Sequence, residues 1–276
     1  MSDAPDQDVL RELGRIAGRL TGFRLDAVSE EALIRFLAQE RRQGRTDQDL
    51  LAAFRASDRA AEERLITEVM VAETFFFRHP DHFEVLLHEV LPELLARERA
   101  PRLWSAGCAS GEETYSLAAC VLAAGRERAR DVLVLGTDLS VARLEQARRG
   151  EYRNWSIRDA GPLLVPVVDV YPEHFRVRDD VRALARFQAH SLMEPPPAPG
   201  LFDVIFCRNV LVYLDAAAAK VVRAHLCAAL RPGGYLFLGP LEGETPEPWL
   251  WPVSGRLDVL RRPDGAVLDL RAPTPR

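Results

Sequence analysis

The spacing of hydrophobic residues differs between the first third of the chain and the rest. Over residues 8–70 apolar side chains recur every three or four positions, as in Leu10, Leu13 and Ile16. That period is typical of amphipathic helices. No alternating pattern of the strand type interrupts it. The spacing therefore predicts an all-helical N-terminal domain, which we assign to residues 1–64.

Farther along the chain, short apolar runs alternate with longer amphipathic segments. The short runs have the composition of buried strands, and the segments between them have the length of helices. Alternating strands and helices predict a doubly wound α/β domain with a parallel sheet, assigned to residues 65–276. The predicted strands are Arg102–Ala106, Asp131–Gly136, Phe202–Cys207 and Tyr235–Gly239, and the predicted helices are Glu112–Ala124, Ser140–Arg149 and Asp215–Leu230.

Two segments depart from this alternation. Residues 151–187 are rich in proline, valine and arginine and contain no long helical pattern. Within them, Phe175–Arg178 and Val181–Phe187 are expected to pair as a small antiparallel β-subdomain. Near the end of the chain, Leu257–Leu260 and Ala266–Leu270 flank a turn sequence and are expected to form a hairpin.

Composition and charge exclude several classes of function. The net charge of −5 argues against a protein whose main task is binding nucleic acid. Lys220 is the only lysine, so the chain has no phosphate-binding loop of the GK[ST] type. No apolar stretch reaches the length of a membrane helix, and Met1–Val9 is acidic and unlike a secretory signal. We therefore expect a cytoplasmic protein without membrane insertion.

Two motifs point to a bound nucleoside. The turn Gly107–Glu113 joins a predicted strand to a helix, and its glutamates would repel a phosphate but suit a cationic or hydroxyl-rich ligand. Taken alone, the motif fits a tight turn with acidic residues at a helix start equally well. Asp138 follows the next strand, where a carboxylate can accept hydrogen bonds from both ribose hydroxyls or simply cap a helix. Together they favour S-adenosylmethionine over NAD.

Two further motifs carry polar residues beside apolar runs. Arg208-Asn209 follows a buried strand, at the edge where open α/β sheets bind ligands, although a capped strand end is the alternative. In Glu73–Phe83 at least two of three consecutive phenylalanines are expected in the core, and Arg78 is a candidate site residue. His79 and His82 have HxxH spacing, but no further ligand set accompanies them. We expect a loop or surface pair there, and no metal site.

The order and spacing of five segments identify a family. They are ETFFFR, LWSAGCASGEETYSLA, GTDLSVARLEQARRGEY, FDVIFCRNVLVYLD and LRPGGYLFLG. They resemble the CheR family of chemotaxis receptor glutamate methyltransferases over roughly residues 10–262. The resemblance implies a Rossmann-like S-adenosylmethionine-dependent domain with a small β-subdomain inserted at about 151–187. It also implies methyl transfer to receptor glutamates, with S-adenosylhomocysteine as product.

The resemblance also implies roles for individual residues. Arg78 and Tyr213 would orient the reacting groups, and His190-Ser191 stand where the family commonly has an Asn-Leu pair near the adenine. The family commonly has asparagine where this chain has Ala72, and histidine where this chain has Pro240. The implied cofactor-binding residues are Thr74, Arg78, Gly107, Glu113, Asp138, His190, Ser191, Arg208 and Asn209.

The implied partners are the acidic cytoplasmic helices of methyl-accepting chemoreceptors. The short turn Arg178–Val181 is similar to that of family members that need no pentapeptide tether on the receptor. Asn154–Arg158 resembles a branch often fused to helical repeats. Two functions remain open: an enzyme, or a binding module of the same fold that serves as a sensor or scaffold with little turnover. A small-molecule methyltransferase is disfavoured by the dedicated N-terminal domain.

Overall fold

The N-terminal region is helical, as predicted. A computed structural model of the chain describes residues 6–24, 28, 30–70, 73–97, 99–125, 127, 129–158, 167–198, 201–243, 250–253 and 255–264. Its first helices are α1 (Gln7–Thr21), α2 (Glu30–Arg42), α3 (Asp47–Arg55) and α4 (Arg59–Val69). Helix α1 ends at Gly22, whose φ of 74° ends helices readily because glycine has no Cβ. The boundary predicted between residues 64 and 65 falls within α4 and stays a prediction.

The remaining elements follow the predicted alternation. A π-helical turn, Leu86–Val90, joins α5 and α6, and short 3₁₀ turns lie at Ala129–Asp131, Asn154–Ile157 and Leu211–Tyr213. The helices are α5 (Pro80–Val85), α6 (Leu91–Leu95), α7 (Glu112–Gly125), α8 (Val141–Arg149), α9 (Asp179–Arg182) and α10 (Ala216–Ala229). The strands are β1 (Arg102–Ala106), β2 (Leu133–Asp138), β3 (Glu151–Tyr152), β4 (Val168–Val170), β5 (Phe175–Val177), β6 (Ala185–Ala189), β7 (Phe202–Cys207), β8 (Leu230–Leu238), β9 (Trp251–Val253) and β10 (Arg256–Arg261).

Within the described residues, the main sheet has the strand order β6-β2-β1-β7-β8-β10-β9. The first five of these strands run parallel to one another. Strand β10 pairs antiparallel with β8, and β9 pairs antiparallel with β10 at the edge of the sheet. The strand expected over Leu257–Leu260 therefore lies in β10, but its partners are β8 and β9. Ala266–Leu270, its expected partner, lies outside the described residues. No helix in the described part of the chain is long and apolar enough to cross a membrane.

The small antiparallel subdomain is present, but its predicted pairing is wrong. Strand β5 pairs with β3 and β4 rather than with Val181–Phe187. The residues after β5 form α9 and then β6, which joins the edge of the main sheet parallel to β2. In sequence, an apolar run beside a short polar turn can pair either with β5 or with a strand of the main sheet. Because α9 lies between β5 and β6, the run reaches the main sheet and pairs with β2.

The two faces of the main sheet are covered by different helices. On one face, Leu103, Val204 and Phe206 pack in a core shared with α5 to α7 and with the subdomain. On the other, Trp104 and Ile205 pack in a core shared with α1 to α4 and α10. Successive strand residues point to opposite faces, so the central strands β1 and β7 contribute to both cores. The helical region is thus packed against the sheet beside its carboxyl edge.

Candidate functional site

One cleft at the carboxyl edge of the parallel strands holds the predicted site residues. The space between its walls, counted with the open mouth, is about 1020 Å³. The loops after β1, β2, β6 and β7 supply most of its wall. All ten residues singled out from the sequence line it: Thr74, Arg78, Gly107, Glu113, Asp138, His190, Ser191, Arg208, Asn209 and Tyr213.

The loop after β1 brings backbone close to the cleft. The amides of Gly107 and Cys108 both donate to the Thr137 carbonyl, at 2.8 Å each. Gly107 has φ of 80°, and a Cβ there would lie 2.7 Å from a methyl group of Val210. Only glycine fits this position, because the neighbouring loop would otherwise have to move. The next turn is also strained, since Ala109 has φ of 45°.

Asp138 connects two loops of the cleft. Its side chain is buried, and its two oxygens accept hydrogen bonds from the amides of Ala109 and Ser140, both at 2.9 Å. Burial raises the pKa of the Asp138 carboxyl, although both amides and nearby Arg143 favour the ionised form. Each carboxylate oxygen can accept further hydrogen bonds. Asp138 therefore fixes the cleft wall and keeps acceptor capacity toward the cleft.

Arg208 is held from several sides. Its Nε donates to Glu113 Oε2 at 2.8 Å, and its Nη1 donates to the Arg78 carbonyl at 2.6 Å. The other Glu113 oxygen accepts from Ser105 Oγ at 2.7 Å. Only 2% of the Arg208 side chain is exposed, against 12% of Glu113. The pair is therefore a fixed part of the cleft and satisfies the buried charge of each partner.

His82 contacts the buried Arg208 guanidinium and is not the loop or surface residue expected from the sequence. It lies in α5 and is fully buried, with Nε2 2.9 Å from Asp258 Oδ2 and Nδ1 3.4 Å from Arg208 Nη1. Burial and the Arg208 charge lower the pKa of His82, while Asp258 opposes them. A neutral ring that donates from Nε2 and accepts at Nδ1 satisfies both neighbours.

The segment with consecutive phenylalanines places Arg78. Phe76 and Phe77 are buried, which confirms the expectation that at least two of the three lie in the core, whereas Phe75 lines the cleft. The amide of Phe77 donates to Ser116 Oγ at 3.0 Å, and φ of Phe77 is 55°. Such backbone strain is maintained by the packing around it. Arg78 Nη1 donates to the Glu73 carbonyl at 2.6 Å, at the mouth of the cleft.

Glu242 is a structural residue of the site that the sequence did not single out as a site residue. Its buried carboxylate accepts hydrogen bonds from four backbone amides, those of Asn209 (2.8 Å), Val210 (2.8 Å), Val212 (3.2 Å) and Gly239 (2.7 Å). These bonds hold Asn209 in a left-handed conformation, with φ of 57°. The signal in the sequence that could have found Glu242 was an acidic residue three positions after Gly239, the glycine that ends the predicted strand.

The helical region also contributes to the cleft, which sequence reasoning missed. Thr21, Phe23 and Met70 line it. The Phe23 ring lies 5.6 Å from the Tyr213 ring, centroid to centroid, and the Arg24 amide donates to the Tyr213 carbonyl at 2.8 Å. Tyr213 is therefore positioned by the segment that follows α1 as well as by its own turn. Contacts so distant in sequence leave no local pattern.

Comparison with known proteins identifies the family. The family model described as "CheR methyltransferase, SAM binding domain" matches residues 72–245. This chain belongs to the CheR methyltransferase family. Chemotaxis protein methyltransferase 1 of Vibrio cholerae is 37% identical over 205 residues, which is 72% of each chain. Chemotaxis protein methyltransferase Cher2 of Pseudomonas putida is 31% identical over 242 residues, covering 83% of this CheR-family chain and 84% of its own length.

Two other similarities have narrower coverage. The probable biofilm formation methyltransferase WspC of Pseudomonas putida is 35% identical over 188 residues, or 66% of this chain and 44% of its own length. The solved structure of PKMT2 from Rickettsia typhi in complex with AdoHcy is 17% identical and covers 61% of this chain and 26% of that chain, with a TM-score of 0.37.

The cofactor of the CheR domain is S-adenosylmethionine, and the cleft has groups that suit it. Asp138 and Glu113 offer carboxylates toward hydroxyl and cationic groups. Among the described residues, His190 Nε2 is buried without a hydrogen-bond partner. His190 lines the cleft, and buried polar atoms normally have partners. This unpartnered atom therefore fits a polar ligand. Which residue contacts which part of the cofactor stays a prediction.

Proposed function

We propose that this methyltransferase transfers the methyl group of S-adenosylmethionine to glutamate side chains on the cytoplasmic helices of a chemoreceptor. Glutamate methyl esters would be the product. The observation that carries the proposal is the joint presence of Arg78 and Tyr213 in the cleft that also holds buried Asp138. A cation and a phenol beside a cofactor cleft suit an anionic acceptor. Relatives named chemotaxis protein methyltransferases support the same assignment.

The acceptor chemistry explains which side chains the reaction requires. A glutamate carboxylate has an ordinary pKa of about 4.3 and is already ionised at neutral pH. It needs no general base, so the site has to orient it and exclude water. The bound cofactor supplies a methyl group activated by a positively charged sulfur.

Arg78 and Tyr213 are assigned to the acceptor. The Arg78 guanidinium has a planar fork that can hold a carboxylate through two parallel hydrogen bonds. A guanidinium does not serve as a general base in proteins, so the role of Arg78 is orientation. Tyr213, fixed by Phe23 and by the Arg24 amide, would direct the carboxylate oxygen. Phe75 contributes an apolar wall beside them.

Other cleft residues are assigned to the cofactor. Asp138 would accept hydrogen bonds from the ribose hydroxyls, and His190-Ser191 would lie beside the adenine. Thr74, Arg208 and Asn209 complete the proposed contacts, together with Glu113, whose carboxylate Arg208 holds in place. Gly107 would let the backbone approach closely, because a side chain there would strike Val210.

Relatives are named both for chemotaxis and for biofilm formation. A cytoplasmic location, the absence of a pentapeptide tether and the absence of nucleic-acid partners stay predictions.

A transfer assay tests the proposal. Purified protein is incubated with methyl-labelled cofactor and the cytoplasmic fragment of a chemoreceptor from the same organism, and calorimetry measures S-adenosylhomocysteine binding in parallel. We expect label on the receptor that mild base releases, as methyl esters require. Tight cofactor binding without transfer would instead support the sensor or scaffold alternative. Label that resists base would exclude glutamate as the acceptor.

A further inference from the structure

An exposed tryptophan lies beside the mouth of the cleft. Trp155 is 64% exposed and sits on the 3₁₀ turn Asn154–Ile157 of the β-subdomain. The Arg158 guanidinium lies 3.8 Å over the Trp155 ring and 4.1 Å over the Phe75 ring. Arg158 Nη2 also pairs with Glu73 Oε1 at 2.7 Å. Because Glu73 and Phe75 line the cleft, these side chains form a continuous strip from the subdomain to the site.

The turn that carries Trp155 is firmly anchored. The Ser156 carbonyl accepts from the Phe76 amide at 2.8 Å, and Ser156 Oγ donates to Glu112 Oε1 at 2.8 Å. The neighbouring Tyr152 hydroxyl donates to the Ser110 carbonyl at 2.6 Å. These bonds connect the turn to the segment of Phe76 and to the loop Gly107–Glu113. Trp155 is therefore held in a fixed position. Fixed aromatic side chains bind partners with little loss of conformational entropy.

We propose that Trp155, Arg158 and Phe75 form a docking strip for the acidic protein segment that carries the acceptor glutamate. The charges favour such an occupant, since Arg158 and Arg78 bring two guanidiniums to the mouth and Glu73 brings one carboxylate. Aromatic and arginine side chains dominate binding energy at protein interfaces. The strip leads directly to Arg78, where the acceptor side chain would be held. This inference rests on the proposed function and assigns a role to the Asn154–Arg158 segment.

Trp251 provides a matched control. It is 65% exposed, almost the same as Trp155, but lies in β9 at the far edge of the sheet and does not line the cleft. A nonspecific loss of surface aromatic area would affect both positions equally. If the docking strip binds the segment, only the substitution of Trp155 should weaken binding.

The experiment measures binding and transfer separately. Fluorescence anisotropy gives the Kd of a labelled receptor cytoplasmic fragment in the presence of S-adenosylhomocysteine, and kinetics give kcat and KM for that fragment. Trp155→Ala should weaken fragment binding and raise KM about thirtyfold, the size of an interface hot spot. Trp155→Phe should retain most of the binding. Trp251→Ala should match the wild type, and S-adenosylhomocysteine affinity should be unchanged in every variant.

Each outcome separates the docking strip from the reaction. Equal effects of Trp155→Ala and Trp251→Ala, or no binding of the fragment by the wild type, would overturn the docking strip. Binding that depends on Trp155 without any methyl transfer would keep the strip and refute the proposed function. Where Trp155→Ala does not fold, Arg158→Gln replaces it. That variant should weaken binding and reduce its dependence on salt, and unchanged binding would overturn the strip.

Discussion

The two sides of the cleft hold their side chains in different ways. On the carboxylate side, formed by Asp138 and Glu113, the side chains are largely buried and hydrogen-bonded to backbone or to Arg208. On the aromatic side, formed by Phe75, Arg78 and Tyr213, they are partly exposed, and Arg78 is 22% exposed. The first side is complete without a partner, whereas the second presents groups that a partner can cover.

This difference matches the sizes of the two proposed ligands. A small cofactor is bound well by a site that needs no rearrangement, because little entropy is lost on binding. A protein segment brings its own surface and can cover side chains at the mouth. The comparison therefore predicts that substitutions on the carboxylate side act on cofactor affinity, and that substitutions on the aromatic side act on transfer.

Arg78→Ala should have the largest effect. We expect methyl transfer to fall about 10²-fold or more, because alignment of the acceptor is lost. Arg78→Lys should restore little of it, since lysine has the charge without the planar fork. Product affinity should change less than the rate. Single-turnover rates of the purified, folded variants check this, and wild-type rates in Arg78→Ala would remove Arg78 from the site.

Asp138→Ala should act mainly on affinity. Hydrogen bonds to a charged group contribute about 1.5–3 kcal/mol, so binding of S-adenosylhomocysteine should weaken at least about tenfold. Calorimetry measures the loss, and circular dichroism controls for folding because Asp138 also holds the Ala109 and Ser140 amides. An unchanged affinity would refute the assignment of Asp138.

Acid should weaken cofactor binding through the same residue. The Asp138 pKa is raised by burial, and the ionised form is the better acceptor for hydroxyl donors. The contribution of Asp138 to S-adenosylhomocysteine affinity should therefore be constant above this raised pKa and fall as pH decreases through it, before the ordinary aspartate value of about 3.9 is reached.

Calorimetry across this pH range measures the effect, with folding checked at each pH. Asp138→Asn should remove the Asp138 part of the dependence and keep any part due to His190, whose pKa is lowered by burial. Identical pH profiles for the wild type and Asp138→Asn would contradict the assignment.

His190→Asn should have the smallest effect. If the unpartnered His190 Nε2 faces the adenine, asparagine restores the common family residue and should keep or improve cofactor affinity. Calorimetry and circular dichroism check this together. Loss of folding would show instead that His190 is a core residue, since its ring also lies edge-on to Trp104 with centroids 6.1 Å apart.

Local patterns in the sequence predicted most of the fold and the site residues Arg78, Gly107, Glu113, Asp138, Arg208 and Asn209, because strand ends and glycine turns have local signals. Thr74, His190, Ser191 and Tyr213 were implied only by the resemblance to the family. All ten residues line one cleft. The predicted partner of β5 was wrong because the two residues Asp179-Asp180 fit both a hairpin turn and the start of a short helix. Phe23, Met70 and the roles of Glu242 and His82 were missed, since they depend on contacts between residues far apart in the chain.

The most direct test compares Asp138→Ala and Arg78→Ala side by side in two quantities, the Kd for S-adenosylhomocysteine and the single-turnover rate of transfer to a receptor fragment at saturating cofactor. The two-sided cleft predicts a crossover: Asp138→Ala loses affinity and keeps a rate near that of the wild type, whereas Arg78→Ala loses the rate and keeps most of the affinity. Parallel losses of both quantities in both variants would contradict the division of the cleft into a cofactor side and an acceptor side.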